Sequence, residues 1–419
     1  MRTYFLLLCL LFLAAPTLAQ QSRIYDPCIR SLRAEKGGCL TLLPILEMGR
    51  GGETFEVSFD EMSHDYHRYT YRVQYCTYDW QPCDALFESE YLEATQSAVV
   101  IDDVTESRNT TTLYTHYAFT FPNREMRPLL SGNYRLLICD DDVEDPDAPV
   151  AEVCFALLEP RATIEGSVTT NTEVDWNAEH QQVEMALSWS GLDVRDARAD
   201  FHTIVMQNHR LDNCVVAPRA SYVNGDRLIW QHCRDLIFKA GNEYRKFETI
   251  STRHSGLHVE AVRWMAPDYH MLLATDEVRR NYLYYEAQGG TSVVRSVDGG
   301  DSATEAEYVQ VHFSLYTGEP LPEGDAVYVT GQWAVPSPAS DYRMDYDDAT
   351  GCYTATLYLK QGYYDYVYLV RHASGAVLDA GPIEGNYYQT ANEYTIYAYF
   401  RAPADRNDRL VAVGTLRSR

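Results

Sequence analysis

The stretch from Gly362 to Leu410 reads GYYDYVYLVRHASGAVLDAGPIEGNYYQTANEYTIYAYFRAPADRNDRL, and few folds admit it. Tyr364, Tyr366 and Tyr368 alternate with Tyr363, Val367 and Leu369, the period of two with which a strand turns successive side chains to opposite faces. A second run repeats the device, with Tyr394, Ile396, Ala398 and Phe400 set against Thr395, Tyr397 and Tyr399. Between them stand Gly381, Pro382, Gly385 and Asn386, where glycine supplies positive φ and proline a fixed φ. The pattern predicts a sheet with aromatic faces.

Quieter versions of the pattern recur upstream. Phe55, Val57 and Phe59 point one way in TFEVSF, and Tyr69, Tyr71, Val73 and Tyr75 share a face in RYTYRVQY. Further strands are predicted over 114–121, 133–139 and 151–158, then over 162–169, 182–189, 203–207, 227–231 and 282–286. The segment 238–247 reads as an extended loop or a short helix. Val309, Val311, Phe313 and Leu315 open a third group, which continues through 326–333 and 352–359. A chain of 419 residues suits about three domains of ~100 to 150 residues each. The fold class is therefore all-β, with tandem immunoglobulin-like β-sandwich domains. The expected boundaries are an N-terminal sandwich at 20–160, a middle sandwich at 161–288, a linker or loop at 289–306 (GGTSVVRSVDGGDSATEA) and a C-terminal sandwich at 307–419.

Residues 1–19 carry Arg2, an apolar core from Phe5 to Ala15 and the small-x-small site Thr17-Leu18-Ala19, the signature of a secretory signal peptide. That destination is oxidising, so the cysteines read as disulfide candidates: Cys28 with Cys39, Cys76 with Cys83, Cys139 with Cys154 and Cys214 with Cys233, leaving Cys352 alone. Zinc would need two close Cys or Cys/His pairs, and the sequence holds no CxxC. A formal charge of −25 disfavours nucleic acid and anionic lipid as partners.

Candidate chemistry is sparse. Asp140, Asp141, Asp142, Glu144, Asp145 and Asp147 offer oxygen ligands for calcium but lack the EF-hand spacing, and a solvated hairpin tip explains them as well. His64 with His67, and His254 with His258, lie outside any helical pattern that would deliver them to one metal. No GxSxG, Walker or dinucleotide glycine pattern is present. Asp301-Ser302-Ala303 matches a short periplasmic O-glycosylation pattern at Ser302. No catalytic residues, metal site or cofactor are expected, and the exposure-prone aromatics Trp80, Trp333, Tyr364, Tyr366 and Tyr387 become the candidate partner interface. Trp333, Tyr364 and Tyr366 would also form the platform in an alternative reading, a secreted glycan-binding protein.

Four blocks in one order, GETFEVSFDEM, YRVQYCTYDWQPCDALFESEYL, YTHYAFTFPNREMRPLLSGNYRLLICDDD and GPIEGNYYQTANEYTIYAYFRAPADRNDRLVAV, resemble the plug proteins of the type IX secretion system of Bacteroidota. The resemblance runs from about Gly51 to near the C-terminus and is thin between Arg161 and Asp301. It implies a periplasmic, non-enzymatic β-sandwich protein, held peripherally at the outer membrane. Its partner would be the giant outer-membrane translocon barrel, whose periplasmic mouth it closes while no substrate is in transit. No nucleic acid, small-molecule substrate or direct membrane insertion is implied.

Overall fold

The structure, a computed structural model, describes residues 22–141, 145, 148–284, 289–338, 342–375 and 377–418. Its regular structure is nearly all strand, 49% of the residues against 5% in helix, as the alternation predicts. No helix among the described residues is long and apolar enough to cross a membrane. The signal-peptide residues 1–19 and most of the acidic run (142–144, 146 and 147) lie outside the described residues.

The first lobe contains β1 (Ile29–Lys36), β2 (Phe55–Glu61), β3 (Tyr69–Cys76), β4 (Thr115–Phe121), β5 (Gly132–Asp140) and β6 (Pro149–Leu158). Strands β1, β2 and β4 make one sheet, and β6, β5 and β3 lie in order in another. The side chains expected to point inward do so: Phe55, Val57 and Phe59 meet Tyr69, Tyr71, Val73 and Tyr75 in one core. Tyr69 stands edge-on to Tyr117 at 4.9 Å, and Tyr134 stacks on Phe155 at 5.0 Å. Each such aromatic removes roughly 150–250 Å² from water, so tyrosine faces stabilise the sandwich as aliphatic ones would.

In the second lobe, β7 (Ala162–Thr169), β8 (His180–Trp189) and β10 (Arg227–Trp230) form a small sheet, while β9 (Phe201–Gln207) belongs elsewhere. The third lobe has β11 (Arg245–Glu248), β12 (Val259–Met265), β13 (Asp268–Leu273), β14 (Tyr308–Tyr316), β15 (Ala326–Thr330), β16 (Arg343–Asp347), β17 (Cys352–Lys360) and β18 (Gly362–Arg371). Their order is β11-β18-β15-β16-β17-β14-β13-β12. Strand β16 pairs with β15 through Val327↔Met344 and with β17 through Asp345↔Thr354, so the sheet turns back over its own core.

The last two strands, β19 (Glu393–Phe400) and β20 (Arg409–Arg417), correct the expected boundaries. They do not close a C-terminal sandwich at 307–419. Strand β19 pairs with β9 from Phe201↔Phe400 to Gln207↔Tyr394, and β20 meets β6 in parallel at Leu158↔Leu410. Tyr394, Ile396, Ala398 and Phe400 therefore fill the core of the second lobe against Val183, Leu187 and Trp230. Their opposite face, Tyr397 and Tyr399, packs with Ile204, Met206 and Ala156. One sheet thus runs through the first two lobes. Segments 245–248 and 259–273, expected in the middle sandwich, belong to the third lobe. The expected linker 289–306 holds a strand at Ser292–Val294 paired with β18 and a helical turn at Ser302–Glu305. Residues 282–284 form no strand, and 285 and 286 lie outside the described residues.

None of the four proposed disulfides forms among the described residues, which overturns that expectation. Cys28 and Cys39 flank opposite ends of β1, more than about 20 Å apart at ~3.3 Å per residue, beyond the reach of a disulfide. Cys154 stands opposite Arg135, four residues along β5 from Cys139. Cys76 and Cys83 face different cores, as do Cys214 and Cys233. Cys352 is buried.

The lobes are joined by polar contacts at every junction. Arg409 pairs with Glu159 at 2.6 Å between the first and second lobes, and Lys239 with Asp379 at 2.7 Å between the second and third. Thr111 and Thr112 donate to the Glu307 carboxylate between the first and third. Gly132 sits at the first of these junctions with φ +137, and a Cβ there would lie 2.2 Å from the Tyr75 hydroxyl and 2.7 Å from the Asp408 carbonyl. That hydroxyl is 2.7 Å from the carbonyl oxygens of both Ser131 and Asp408 and shares its one O–H between them. Gly132→Ala is expected to cost about 2–3 kcal/mol through overpacking and a disfavoured φ, read by urea unfolding.

Candidate partner interface

Three of the five aromatics expected at a partner surface are core residues. Trp80 and Tyr364 are 4% exposed and Tyr366 is 0% exposed. Both tyrosine hydroxyls are satisfied inside, which removes the cost of burying them. The Tyr366 hydroxyl donates to Asp276 Oδ2 at 2.7 Å, the Tyr364 hydroxyl donates to the Lys360 carbonyl, and the Trp80 carbonyl accepts from Arg135 Nη2 at 2.5 Å. Trp333 is half-buried, edge-on to Tyr364 at 5.5 Å, and its indole N–H donates to the Asp365 carbonyl at 2.7 Å. The sugar platform of Trp333, Tyr364 and Tyr366 does not exist as a surface. Tyr387 alone of the five belongs to an exposed aromatic patch.

That patch begins at the hairpin joining β7 and β8. Thr172 Oγ1 accepts from the backbone N–H of Val174 and Asp175, and Asp175 Oδ2 accepts from Glu179 N at 3.0 Å and lies 2.7 Å from His180 Nδ1. With its backbone tied down in this way, the tip holds Val174 and Trp176 outward, the latter 76% exposed. Two residues on, the Ala178 carbonyl accepts from Tyr388 N at 3.0 Å, which brings the segment 387–388 to the same rim. The Tyr387 ring lies 6.1 Å from Tyr282, and Leu283 and Tyr284 follow, 63% and 68% exposed. A pair between Arg234 and Glu173 at 2.6 Å flanks the tip. Exposed aromatics beside a polar rim are the anatomy of a protein-binding patch.

Tyr387 is positioned by charges beneath it. The helical turn Gly381–Glu384 ends at Gly385, whose φ of +76 turns the chain, and a Cβ there would lie 2.6 Å from the Tyr387 ring. Asn386 Oδ1 accepts from Gly241 N at 3.1 Å. Glu384, fully buried, accepts from Arg245 Nε at 3.0 Å, and Arg279 Nη1 lies 3.5 Å from it. Arg245 Nη1 reaches Asp276 Oδ1 at 2.6 Å, and the Tyr366 and Tyr368 hydroxyls donate to Asp276 Oδ2 at 2.7 and 2.8 Å. Burial pushes the Asp276 carboxyl up, but His258, Arg245 and the Tyr366 hydroxyl outweigh it and hold the group at about 2. His258 Nε2 is 3.3 Å from Asp276 Oδ1 but off hydrogen-bond alignment, so Arg245 is the partner that stabilises the carboxylate. Two cations and two carboxylates fill this site, and all are spent on each other. It anchors the patch.

The remaining candidates are structural as well. Asp140 lies 3.2 Å from His67 Nδ1, and Asp141 accepts from Thr70 Oγ1 at 3.1 Å, so both serve the start of β3. Ser302 Oγ accepts from Ser296 N at 3.1 Å. No group of three His, Cys, Asp or Glu side chains among the described residues could hold a metal ion. Sequence reasoning missed Trp176 and Tyr284. The available signal for Trp176 was its setting, a large aromatic inside the polar turn-forming run Asn171 to Asn177.

Residues 29–159 match the family model described as Type 9 secretion system plug protein 1st domain. The matched span begins with β1 and ends one residue past β6, so it coincides with the first lobe. The crystal structure of a hypothetical protein from Parabacteroides merdae aligns at 36% identity and a TM-score of 0.88, over 94% of this chain and 98% of that one. All three lobes and their arrangement are shared with it. A marsupial T cell receptor is matched at 11% identity over 83% of this chain and 97% of its own, and its TM-score of 0.16 carries no argument. No curated protein matches the chain.

Proposed function

From the premise that this chain belongs to the type 9 secretion system plug protein family, we propose that it is the periplasmic plug of the type IX translocon. It binds the periplasmic mouth of the large outer-membrane barrel and closes it while no substrate is in transit. The observation that carries this reading is the match of the first lobe to the plug first domain. The build of the molecule supports it. A plug must resist deformation, and here the first two lobes share a sheet and polar contacts tie all three lobes, among them the buried pair of Asp60 and Lys360 between the first and third. It must also bind reversibly, which suits aromatic anchors such as Trp176 and Tyr284 inside a charged rim better than a wide greasy face. The chain acts without catalysis and without a cofactor.

Closure has a direct readout. Added to the periplasmic side of purified translocon in a planar bilayer, the chain is expected to lower conductance in a saturable way at micromolar concentration. Conductance that stays unchanged at saturating chain would refute closure.

A further inference from the structure

We infer that β12 is a strand-addition site that takes an extended segment of another protein with an acidic residue at its centre. Among the described residues β12 pairs with β13 alone, so one row of its backbone N–H and C=O groups faces outward. The register shifts between Val259 and Ala261, where Glu260 bulges. Past the bulge, Ala261 to Met265 pair regularly with Leu272 to Asp268 and leave five residues of open edge. An exposed backbone row of this kind is completed by another strand, with side-chain pockets setting the preference.

The side chains define that preference. Val262 packs with Tyr269 and Met271 on the core face, and Trp264 stands 4.8 Å from Tyr269 at the margin of the same face. Arg263 lies on the other face in register with His270, which is 2.7 Å from His312. An incoming strand is thus offered apolar neighbours beside Val262 and Trp264, and a cation between them on the opposite face. A second copy of this chain is a poor occupant. Antiparallel self-pairing through the five regular residues sets Arg263 against Arg263, and each copy carries −25. A strand from another protein with a carboxylate opposite Arg263 meets both demands. This inference goes beyond the plug reading and stands without it.

The test uses the whole chain and two capped eight-residue peptides of alternating valine and threonine, one with a central glutamate and one with a central lysine, each at millimolar concentration. The readout is backbone hydrogen exchange over residues 261–265. The glutamate peptide is expected to slow exchange there at least about threefold and the lysine peptide to leave it unchanged, with the preference reversed in Arg263→Glu, an exposed position that tolerates the change. Slowing by both peptides, by neither, or by the lysine peptide alone in the unaltered chain overturns the proposal.

Discussion

Lys360→Met is expected to lower the stability of the chain by about 3–5 kcal/mol, because it leaves a carboxylate buried without its cation. Lys360 Nζ lies 2.6 Å from Asp60 Oδ2, donates to the Ala303 carbonyl at 2.6 Å and sits 4.2 Å above the Tyr114 ring. Asp60 is also 2.6 Å from His116 Nδ1 and accepts from the Tyr308 hydroxyl at 2.6 Å. The side chains of Asp60 and Lys360 are 1% and 3% exposed, so water cannot replace a missing partner. Burial pushes the Asp60 carboxyl up, and the Lys360 charge with the His116 contact pulls it below its usual range. Asp60 comes from β2 and Lys360 from β17, so the loss should also loosen the junction of the first and third lobes and speed proteolysis there. Adding Asp60→Leu to Lys360→Met should recover most of the stability, since an apolar pair can replace a buried ion pair at little net cost. Urea unfolding reads both variants. A loss below about 1 kcal/mol for the single change would contradict the account.

Arg245→Leu is expected to do comparable damage, about 3–5 kcal/mol, and to reach the candidate interface as well. It strips the shared cation from two buried carboxylates, Asp276 and Glu384. Glu384 ends the turn that delivers Tyr387, so the patch should distort with it. Acid should imitate the substitution. The folded pKa of Asp276, about 2, is below its ordinary 3.8. Its contribution, about 2 kcal/mol, is therefore complete above pH 4 and is lost as pH falls from 4 through 2. Asp60 shifts in the same direction. Unfolding midpoints followed from pH 6 down to pH 2 should fall steeply in the last two units for the unaltered chain, and less steeply in Arg245→Leu. Equal slopes would remove Asp276 from the account.

The faces of the strands were legible in the sequence, and their partners were not. Period-two alternation places Tyr364, Tyr366 and Tyr368 on one side of β18 whatever sheet it joins, and all three do share a core. Nothing in that alternation says that β19 pairs with β9, nearly two hundred residues earlier, or that β20 meets β6. The domain boundary near 307 failed for this reason. Three of the five interface residues, Trp80, Tyr364 and Tyr366, failed for another. A tyrosine stripe reads as exposed on the premise that its hydroxyls need water, but Asp276 accepts from both Tyr366 and Tyr368 and lets them be fully buried. The carboxylate that decides this is about ninety residues away in sequence. The cysteines misled because short spacing along a chain becomes long spacing along a strand, as at Cys28 and Cys39. The first lobe was the most legible part, and it is the part that the family model matches.

In the proposed function this chain binds the outer-membrane translocon through the aromatic patch at the junction of its second and third lobes. The most direct measurement is recovery of the large barrel protein on tagged chain from detergent-solubilised outer membranes of the organism that makes it, compared with a Trp176→Ala, Tyr284→Ser variant. Both substituted side chains are more than two-thirds exposed, so the variant should fold. The expected result is near-stoichiometric recovery by the unaltered chain and at least about a tenfold loss with the variant. Recovery of no large barrel protein by the unaltered chain, or equal recovery by the two, would contradict the account.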